Sequence, residues 1–211
     1  MTAFGADRLP GVIPVFPLDG ALVLPRAELP LNIFEPRYLA MVKHVMGGER
    51  LIGMVQPKPD GTLYDVGGLG RITRFTDPED GRLLIVLTGV TRFRTARELD
   101  VATPFRQVEA DYSAFAGDFR SPDALAPVLR AELEASLKDY LEVEGLAADW
   151  DAVANADDES LVNALAAACP FDVAEKQALL EAGTVPERAA TLATLMRFAL
   201  PVADDGTGLV H

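Results

Sequence analysis

The chain has 211 residues, of which 49% are hydrophobic and 24% are charged, a composition typical of folded globular proteins and not of disordered ones. No apolar run approaches the about 20 residues that a membrane helix needs, and the first residues lack the basic and apolar segments of a signal peptide. The single cysteine, Cys169, excludes an internal disulfide, so we expect a cytoplasmic protein without a membrane partner.

The net charge of −13 is distributed unevenly along the chain. Residues 1–110 hold 13 basic and 13 acidic side chains, whereas residues 111–211 hold 6 basic and 19 acidic ones. An acidic half repels phosphate backbones, so nucleic acid is not expected as a partner. The break near residue 110 indicates two differently built parts, which we place at residues 1–117 and 118–202, with a flexible tail over residues 203–211.

The first part is predicted to consist of short strands that glycine and proline interrupt. The segment 12–18 is apolar but contains Pro14 and Pro17, which cannot donate ladder hydrogen bonds, so we expect an edge or broken strand there. Glycines within the apolar segment 66–72 indicate a bulge, a tight bend or a close backbone approach. Further strands are predicted at residues 21–24, 29–34, 51–55, 71–76, 83–87 and 105–112. Turns are predicted at residues 58–61 and 77–81.

One helix is predicted to interrupt these strands. Pro36 suits a first helical turn, where its missing N–H costs nothing, and Gly47 suits the end of the helix. Apolar residues recur between them at three- and four-residue spacing, at Tyr38, Met41, Val42, Val45 and Met46. Six or seven short strands with one inserted helix predict a small, partly closed β-barrel.

After residue 117 the apolar period changes to that of α-helices. Ser121, Pro122 and Asp123 predict a helix start, and Pro127 predicts a kink or a later start in the same helix. Three more helices are expected from about residue 158 to residue 169, from 172 to 183 and from 184 to 200, the last two opened by capping boxes. Short loops between these helices predict a compact bundle.

No constellation of residues predicts catalysis. Neither histidine, His44 or His211, has the nucleophile and orienting acid that a triad needs. Cys169 has no basic sequence neighbour that would lower its pKa, which indicates a small core residue. Zinc spacings and a phosphate loop are absent, and the glycines at 67, 68 and 70 do not fit a dinucleotide-binding turn. We therefore expect no enzyme activity, no metal and no cofactor.

The order of several short motifs is more specific than any one of them. They are I-P-V-F-P-L at 13–18, V-L-P at 23–25, L-P-L-N-I-F-E-P-R-Y at 29–38, G-V-T-R-F-R at 89–94, and E-K-Q-A-L-L-E at 175–181. Over residues 12–200 this order resembles the Lon N-terminal, or substrate-binding, domain family in its stand-alone bacterial form. Because the chain ends at His211, we expect it to lack the ATPase and Ser–Lys peptidase of Lon.

The resemblance implies an α+β fold, in which a PUA-like β pseudo-barrel with one inserted helix precedes a C-terminal helical bundle. It also implies a non-catalytic module that binds unfolded or extended polypeptide. Lon protease itself is a further partner that the resemblance implies, with the chain as an adaptor or regulator in protein quality control.

Five residues are candidates for this binding. They lie where a loop becomes a helix or beyond a strand end: Glu35, Arg37, Tyr38, Arg92 and Arg94. Prolines leave the neighbouring strand edges incompletely paired, so we predict a groove for extended polypeptide around that loop. A structural interpretation competes with this one. It places Phe34, Tyr38 and Phe93 in the core. It pairs Arg37 with Glu35 or Glu175.

Two other functions remain open at this point. One is a small-molecule or RNA binder that reuses the barrel, with a basic patch at Arg71, Arg74, Arg92, Arg94 and Arg97. A strongly salt-dependent RNA affinity would support it. The other is a hydrolase, which would need a pocket that holds an acid or base with a strongly shifted pKa. The sequence does not predict an oligomeric state.

Overall fold

A computed structural model of the chain describes residues 8–200, so the tail predicted at residues 203–211 lies outside the described residues. The strands are β1 (Val12–Pro17), β2 (Glu28–Ile33), β3 (Leu51–Val55), β4 (Val66–Thr76), β5 (Leu83–Leu99) and β6 (Gln107–Asp111). The helices are α1 (Pro36–Met46), α2 (Pro127–Glu144), α3 (Trp150–Asn155), α4 (Asp158–Ala168), α5 (Val173–Glu181) and α6 (Val185–Phe198). A 3-10 segment (Ser113–Phe119) follows β6.

The six strands form a sheet that closes on itself. Their order is β2-β5-β4-β3-β1-β6, and β5 also pairs with β6. β5 is 17 residues long, which lets its first half pair with β2 while its second half pairs with β6. This double use of β5 closes a ring of five strands and leaves β2 outside it, so the predicted pseudo-barrel is confirmed.

β1 changes partner at its midpoint. Residues 12–14 pair antiparallel with β6, and residues 15–17 pair parallel with β3. Pro14 and Pro17 therefore each lie in a half of β1 that pairs with one strand only. A proline is tolerated there, because its missing N–H does not interrupt hydrogen bonding to a second strand. The strand is continuous, so the predicted break is wrong, but each half has one ladder partner, as an edge strand does.

The connection between β1 and β2 lies directly on the barrel wall. A Cβ atom at Gly68 would lie 1.9 Å from the carbonyl oxygen of Val23, and one at Gly89 would lie 1.9 Å from that of Leu24. The predicted close backbone approach is confirmed here. The strand predicted at residues 21–24 is wrong, because this segment crosses over β4 and β5 and does not pair along an edge.

Three clusters of buried side chains form the core. One lies between α1 and the barrel and includes Tyr38, Met41 and Val42. A second fills the barrel around Phe93, and a third lies in the helical bundle. Leu22 and Leu24 belong to the third cluster, so the bundle packs on the segment that crosses the barrel. The division near residue 117 stays a prediction.

The helical part confirms one of the two predicted starts of the first helix and contains one helix that was not predicted. α2 begins at Pro127, so the later start is confirmed and the start at Ser121 is wrong, because the residue before a proline is disfavoured in helical conformation and Ala126 is extended. α3 was not expected; its N-cap Asp149 accepts a hydrogen bond from the Ala152 N–H at 3.0 Å. Both predicted capping boxes are present, at the starts of α5 and α6. None of the helices within residues 8–200 is long and apolar enough to cross a bilayer.

Candidate functional site

The predicted binding residues at the start of α1 fall partly on the surface and partly in the core. Arg37 pairs with Glu35, with Nη2–Oε2 at 2.8 Å and Nε–Oε2 at 3.0 Å, and about half of each side chain is accessible. The Arg37 guanidinium also lies 4.5 Å from the centre of the Tyr38 ring. Two predicted interactions are thus resolved: Arg37 pairs with Glu35, while Glu175 serves the capping box of α5.

Tyr38 is a core residue. It is 4% exposed, and its ring centre lies 3.9 Å from that of Phe16 on β1. Burial raises the pKa of its phenol, because an apolar environment disfavours the phenolate. Tyr38 therefore anchors α1 to the barrel, as the structural interpretation of the sequence expected.

The two candidate arginines of β5 have different environments. Arg94 is exposed, whereas Arg92 is 2% exposed and pairs with Asp118 of the 3-10 segment. Three carbonyl oxygens at the end of α5 accept the remaining Arg92 bonds. The assumption that Arg92 lines an open groove is wrong, because its donors are consumed inside the protein. A binding role for the five candidates stays a prediction.

An apolar area on the outer surface of the sheet was not predicted. β5 pairs with β2 on one side and β4 on the other, so Leu84 lies between Asn32 and Thr76, and Val86 lies between Pro30 and Arg74. Side chains alternate between the two faces of a strand. Leu83, Ile85 and Leu87 are accordingly buried, while Leu84 is 44% exposed. We call these six residues the outer sheet face: Pro30, Asn32, Arg74, Thr76, Leu84 and Val86.

The outer sheet face forms a shallow depression of about 420 Å³. Leu31 and Ile85 add to its lining, so most of the wall is apolar. One rim is polar, because Arg74 of β4 reaches across to form an ion pair with Glu28 of β2. Apolar floors with polar rims are typical of surfaces that bind other polypeptides.

A free strand edge borders this face. Within residues 8–200, β2 pairs with β5 on one side and has no strand on the other. Pro30 lacks an N–H, and the backbone groups of β2 that do not bond to β5 remain for pairing at this edge. Phe34 follows β2 and is 63% exposed, so its predicted place in the core is wrong. It lies next in sequence to the Glu35–Arg37 pair, which brings these candidates to the end of the edge strand.

The sequence signal for this site is a run of consecutive apolar residues. The run L-L-I-V-L at 83–87, which predicted an apolar strand, does not by itself show which face of the strand is covered. The strand is covered on one face, so Leu84 and Val86 occupy outward positions where polar residues are usual. The described part of the chain also contains no group of three or more His, Cys, Asp or Glu residues that could hold a metal ion.

Comparison with known proteins gives a consistent family match. A family model described as the ATP-dependent protease La (LON) substrate-binding domain matches residues 12–197. The Lon protease of Cytophaga hutchinsonii is 24% identical over 90% of this chain, and Lon protease 1 of Bdellovibrio bacteriovorus is 27% identical over 86%. The chain spans only 24% of the length of each of these relatives.

Two solved structures share the fold. A Lon N-terminal domain protein from Xanthomonas campestris has a TM-score of 0.62 and 24% identity, over 87% of this chain and 97% of that one. The N-terminal domain of Mycobacterium avium complex Lon protease has a TM-score of 0.64 and 21% identity, over 90% of this chain and 100% of that one. The predicted α+β class, with a barrel followed by helices, is confirmed.

Proposed function

The chain belongs to the family of LON substrate-binding domains, and from that membership we propose that it binds extended or unfolded polypeptide without catalysing a reaction itself. The observation that supports this proposal most directly is the outer sheet face beside the free edge of β2. An extended segment could add to the edge through backbone hydrogen bonds and place alternate side chains in the apolar depression.

The chemistry of the site favours loose sequence preference. Backbone pairing recognises any extended chain, and the depression offers apolar contact without a buried polar group that would demand a particular partner. Burial of Leu84 and Phe34 against a bound segment would contribute about 25 cal/mol per Å² of apolar area. Such a site suits segments that expose apolar side chains, as unfolded proteins do.

The test compares variants of the proposed site with a variant of an exposed phenylalanine elsewhere. We would measure binding of a fluorescein-labelled, reduced and alkylated α-lactalbumin, which stays unfolded, by fluorescence anisotropy. Phe34→Ser and Leu84→Asp should each weaken binding about tenfold, the loss expected of one central apolar contact. Phe198→Ser is the matched control, because Phe198 is 81% exposed at the end of α6. Equal affinities for Phe34→Ser, Leu84→Asp and the parent would contradict the proposed site.

A link to Lon protease is the second element of the proposal. An adaptor would bind both a substrate and the protease, so tagged protein should retain full-length Lon from a native lysate at moderate salt. Recovery of unfolded proteins without Lon would support the binding module and contradict the adaptor role. The cytoplasmic location predicted from the single cysteine is part of the same proposal.

The RNA-binding alternative has less structural support. Among the arginines that suggested a basic patch, Arg74 pairs with Glu28, Arg92 with Asp118, and Arg97 with Glu109. Binding to phosphates would have to compete with these pairs. A salt-dependent RNA affinity comparable to the polypeptide affinity would nevertheless favour the alternative.

A further inference from the structure

A second cavity, of about 250 Å³, lies at the junction between the barrel and the helical bundle. Its walls come from the segment that crosses the barrel, from the end of the 3-10 segment with residues 120–123, and from the start of α6. We call it the junction cavity. A water occupies about 30 Å³ of liquid, so this volume can hold a small molecule of several heavy atoms. It is smaller than most sites for drug-sized ligands.

Positive charge exceeds negative charge around the junction cavity. The charged lining residues are Arg26, Arg92, Arg120, Arg188, Asp118, Asp123 and Glu159. Asp118 is fully engaged with Arg92, at 2.7 and 3.0 Å. Glu159 is engaged with Arg26, at 2.6 and 2.7 Å. Each of these two pairs is neutral, which leaves Arg188 inside, Arg120 at the rim and one exposed carboxylate, that of Asp123, so the lining keeps a net charge of one positive unit.

Arg188 is a buried cation without a carboxylate partner in the described part of the chain. It is 3% exposed, and its hydrogen bonds go to neutral oxygens: the carbonyl of Leu179 at 2.8 Å, that of Ala182 at 3.3 Å and Oδ1 of Asn163 at 3.4 Å. A guanidinium has five N–H donors, so these three bonds do not use them all. Buried charges are usually paired, because an unpaired one is costly to remove from water.

The pKa of Arg188 reflects the same imbalance. Burial, followed by repulsion from Arg92, lowers the pKa of this guanidinium to about 10, and the attraction of Asp118 and Glu159 does not compensate. The start of α6 lies on the same wall, at Gly183, Thr184 and Val185. The Glu187 carboxylate already caps this helix end, accepting from the Thr184 N–H at 3.2 Å, so the uncompensated charge inside the cavity is that of Arg188 and not that of the helix dipole.

We propose that the junction cavity binds a small anion through a carboxylate or phosphate group, with Arg188 inside and Arg120 at the rim as its cationic partners. Arg120 is exposed, and its side chain has no hydrogen-bond or ion-pair partner within residues 8–200, so it is available to close over a ligand. The Ser121 hydroxyl, on the same rim, supplies a further donor. The site is separate from the outer sheet face and does not depend on the proposed polypeptide binding.

The experiment measures the thermal unfolding midpoint of the full chain with inorganic phosphate, with acetate, and with sodium chloride at matched ionic strength. We expect a saturable rise with phosphate or acetate and not with chloride; the stronger of the two identifies the preferred group. Arg120→Ala should weaken the apparent affinity about tenfold, as expected for the loss of one charge-assisted hydrogen bond. Arg82→Ala, at an exposed arginine of the turn between β4 and β5 that does not line the cavity, should leave it unchanged.

A variant of Arg188 is not a clean test, because this buried side chain donates three hydrogen bonds within the fold, so a second measurement uses the unmodified chain. Phosphate titration of the isotope-labelled parent should shift the backbone amide resonances of Ser121, Gly183 and Thr184 with one common dissociation constant. The proposal fails if chloride gives the same midpoint rise, if Arg120→Ala responds as the parent does, or if these amides do not move.

Discussion

Arg92 and Asp118 form an ion pair that protein encloses almost completely. Their side chains are 3% and 7% exposed, and two parallel bonds join them, Nη2–Oδ1 at 2.7 Å and Nε–Oδ2 at 3.0 Å. Arg92 comes from β5 and Asp118 from the 3-10 segment, and Arg92 also donates to the carbonyls that end α5. One guanidinium thus ties together the barrel, the connection that leaves it and the helical bundle.

Removal of Arg92 should therefore destabilise the whole domain. Arg92→Met leaves Asp118 buried without a counter-charge, a situation that costs about 3–5 kcal/mol. The free energy of unfolding, measured by urea denaturation, should fall by that amount. Arg97→Met is the matched control, because Arg97 lies on the same strand and makes a two-point pair with exposed Glu109. Exposed pairs contribute about 0–1 kcal/mol, so similar losses in both variants would contradict this view.

The close approach at Gly89 gives a second prediction. A methyl group there would meet the Leu24 carbonyl at 1.9 Å, so the crossing segment would have to move away from β5. Gly89→Ala should reduce the free energy of unfolding by about 3 kcal/mol, the upper range for an overpacked site. At Gly117 an added Cβ meets no atom within 4 Å, and Gly117→Ala should change stability by less than about 0.5 kcal/mol.

Gly68, which makes the equivalent close approach to Val23, shows what the sequence could reveal. The glycine-rich strand at residues 66–72 predicted a close approach, because a glycine inside a strand packs no side chain and often marks a place where another backbone comes near. The sequence does not identify the opposing segment, since residues 21–24 have the composition of a strand. Their path over the barrel depends on the contacts of Val23 with Gly68 and of Leu24 with Gly89. These residues are far apart in sequence, so local patterns do not predict the contacts.

The candidate site was predicted less well for a similar reason. Local pattern placed Glu35 and Arg37 correctly at the start of a helix, and periodicity identified Tyr38 as part of the core face. Pattern could not show that β5 is covered on one face only, nor that Phe34 extends past the end of β2. Arg92 was misjudged because the partner that buries it, Asp118, lies 26 residues away in sequence.

Cys169 should make stability decrease at alkaline pH. The thiol is 6% exposed, and burial raises its pKa to about 11 from an ordinary value of 9.0. The folded chain thus holds this proton more tightly than the unfolded one, so the contribution is complete below pH 9.0 and is lost as pH rises towards 11. Two pKa units correspond to a loss of about 2–3 kcal/mol. Burial lowers the pKa of nearby Lys176, which gives a pH dependence of the opposite sign.

Cys169→Ala separates the two effects, because it removes the thiol and keeps Lys176. The parent and the variant should be compared by urea denaturation at several values between pH 8 and pH 11. The stability advantage of the parent should shrink as pH rises through that window. Parallel curves would show that the thiol does not titrate differently in the folded and unfolded chains.

Arg37 tests whether the charged end of β2 contributes to polypeptide binding. Its guanidinium is half exposed, pairs with Glu35 and lies over the Tyr38 ring, so Arg37→Ala removes an exposed ion pair and a cation–π contact. Together these contribute about 1 kcal/mol, and the variant should fold normally. Because Phe34 is next to the pair, loss of the Arg37 charge should slow association with acidic unfolded chains about twofold to fivefold, with little change in dissociation.

Stopped-flow anisotropy with the labelled α-lactalbumin, at low and moderate salt, measures both rate constants for Arg37→Ala. Arg97→Ala is the control, because it removes an exposed ion pair on the other half of β5. If both variants slow association equally, the effect belongs to net charge and not to this location. If neither does, the bound chain does not reach the start of α1, and the contact area is confined to the outer sheet face.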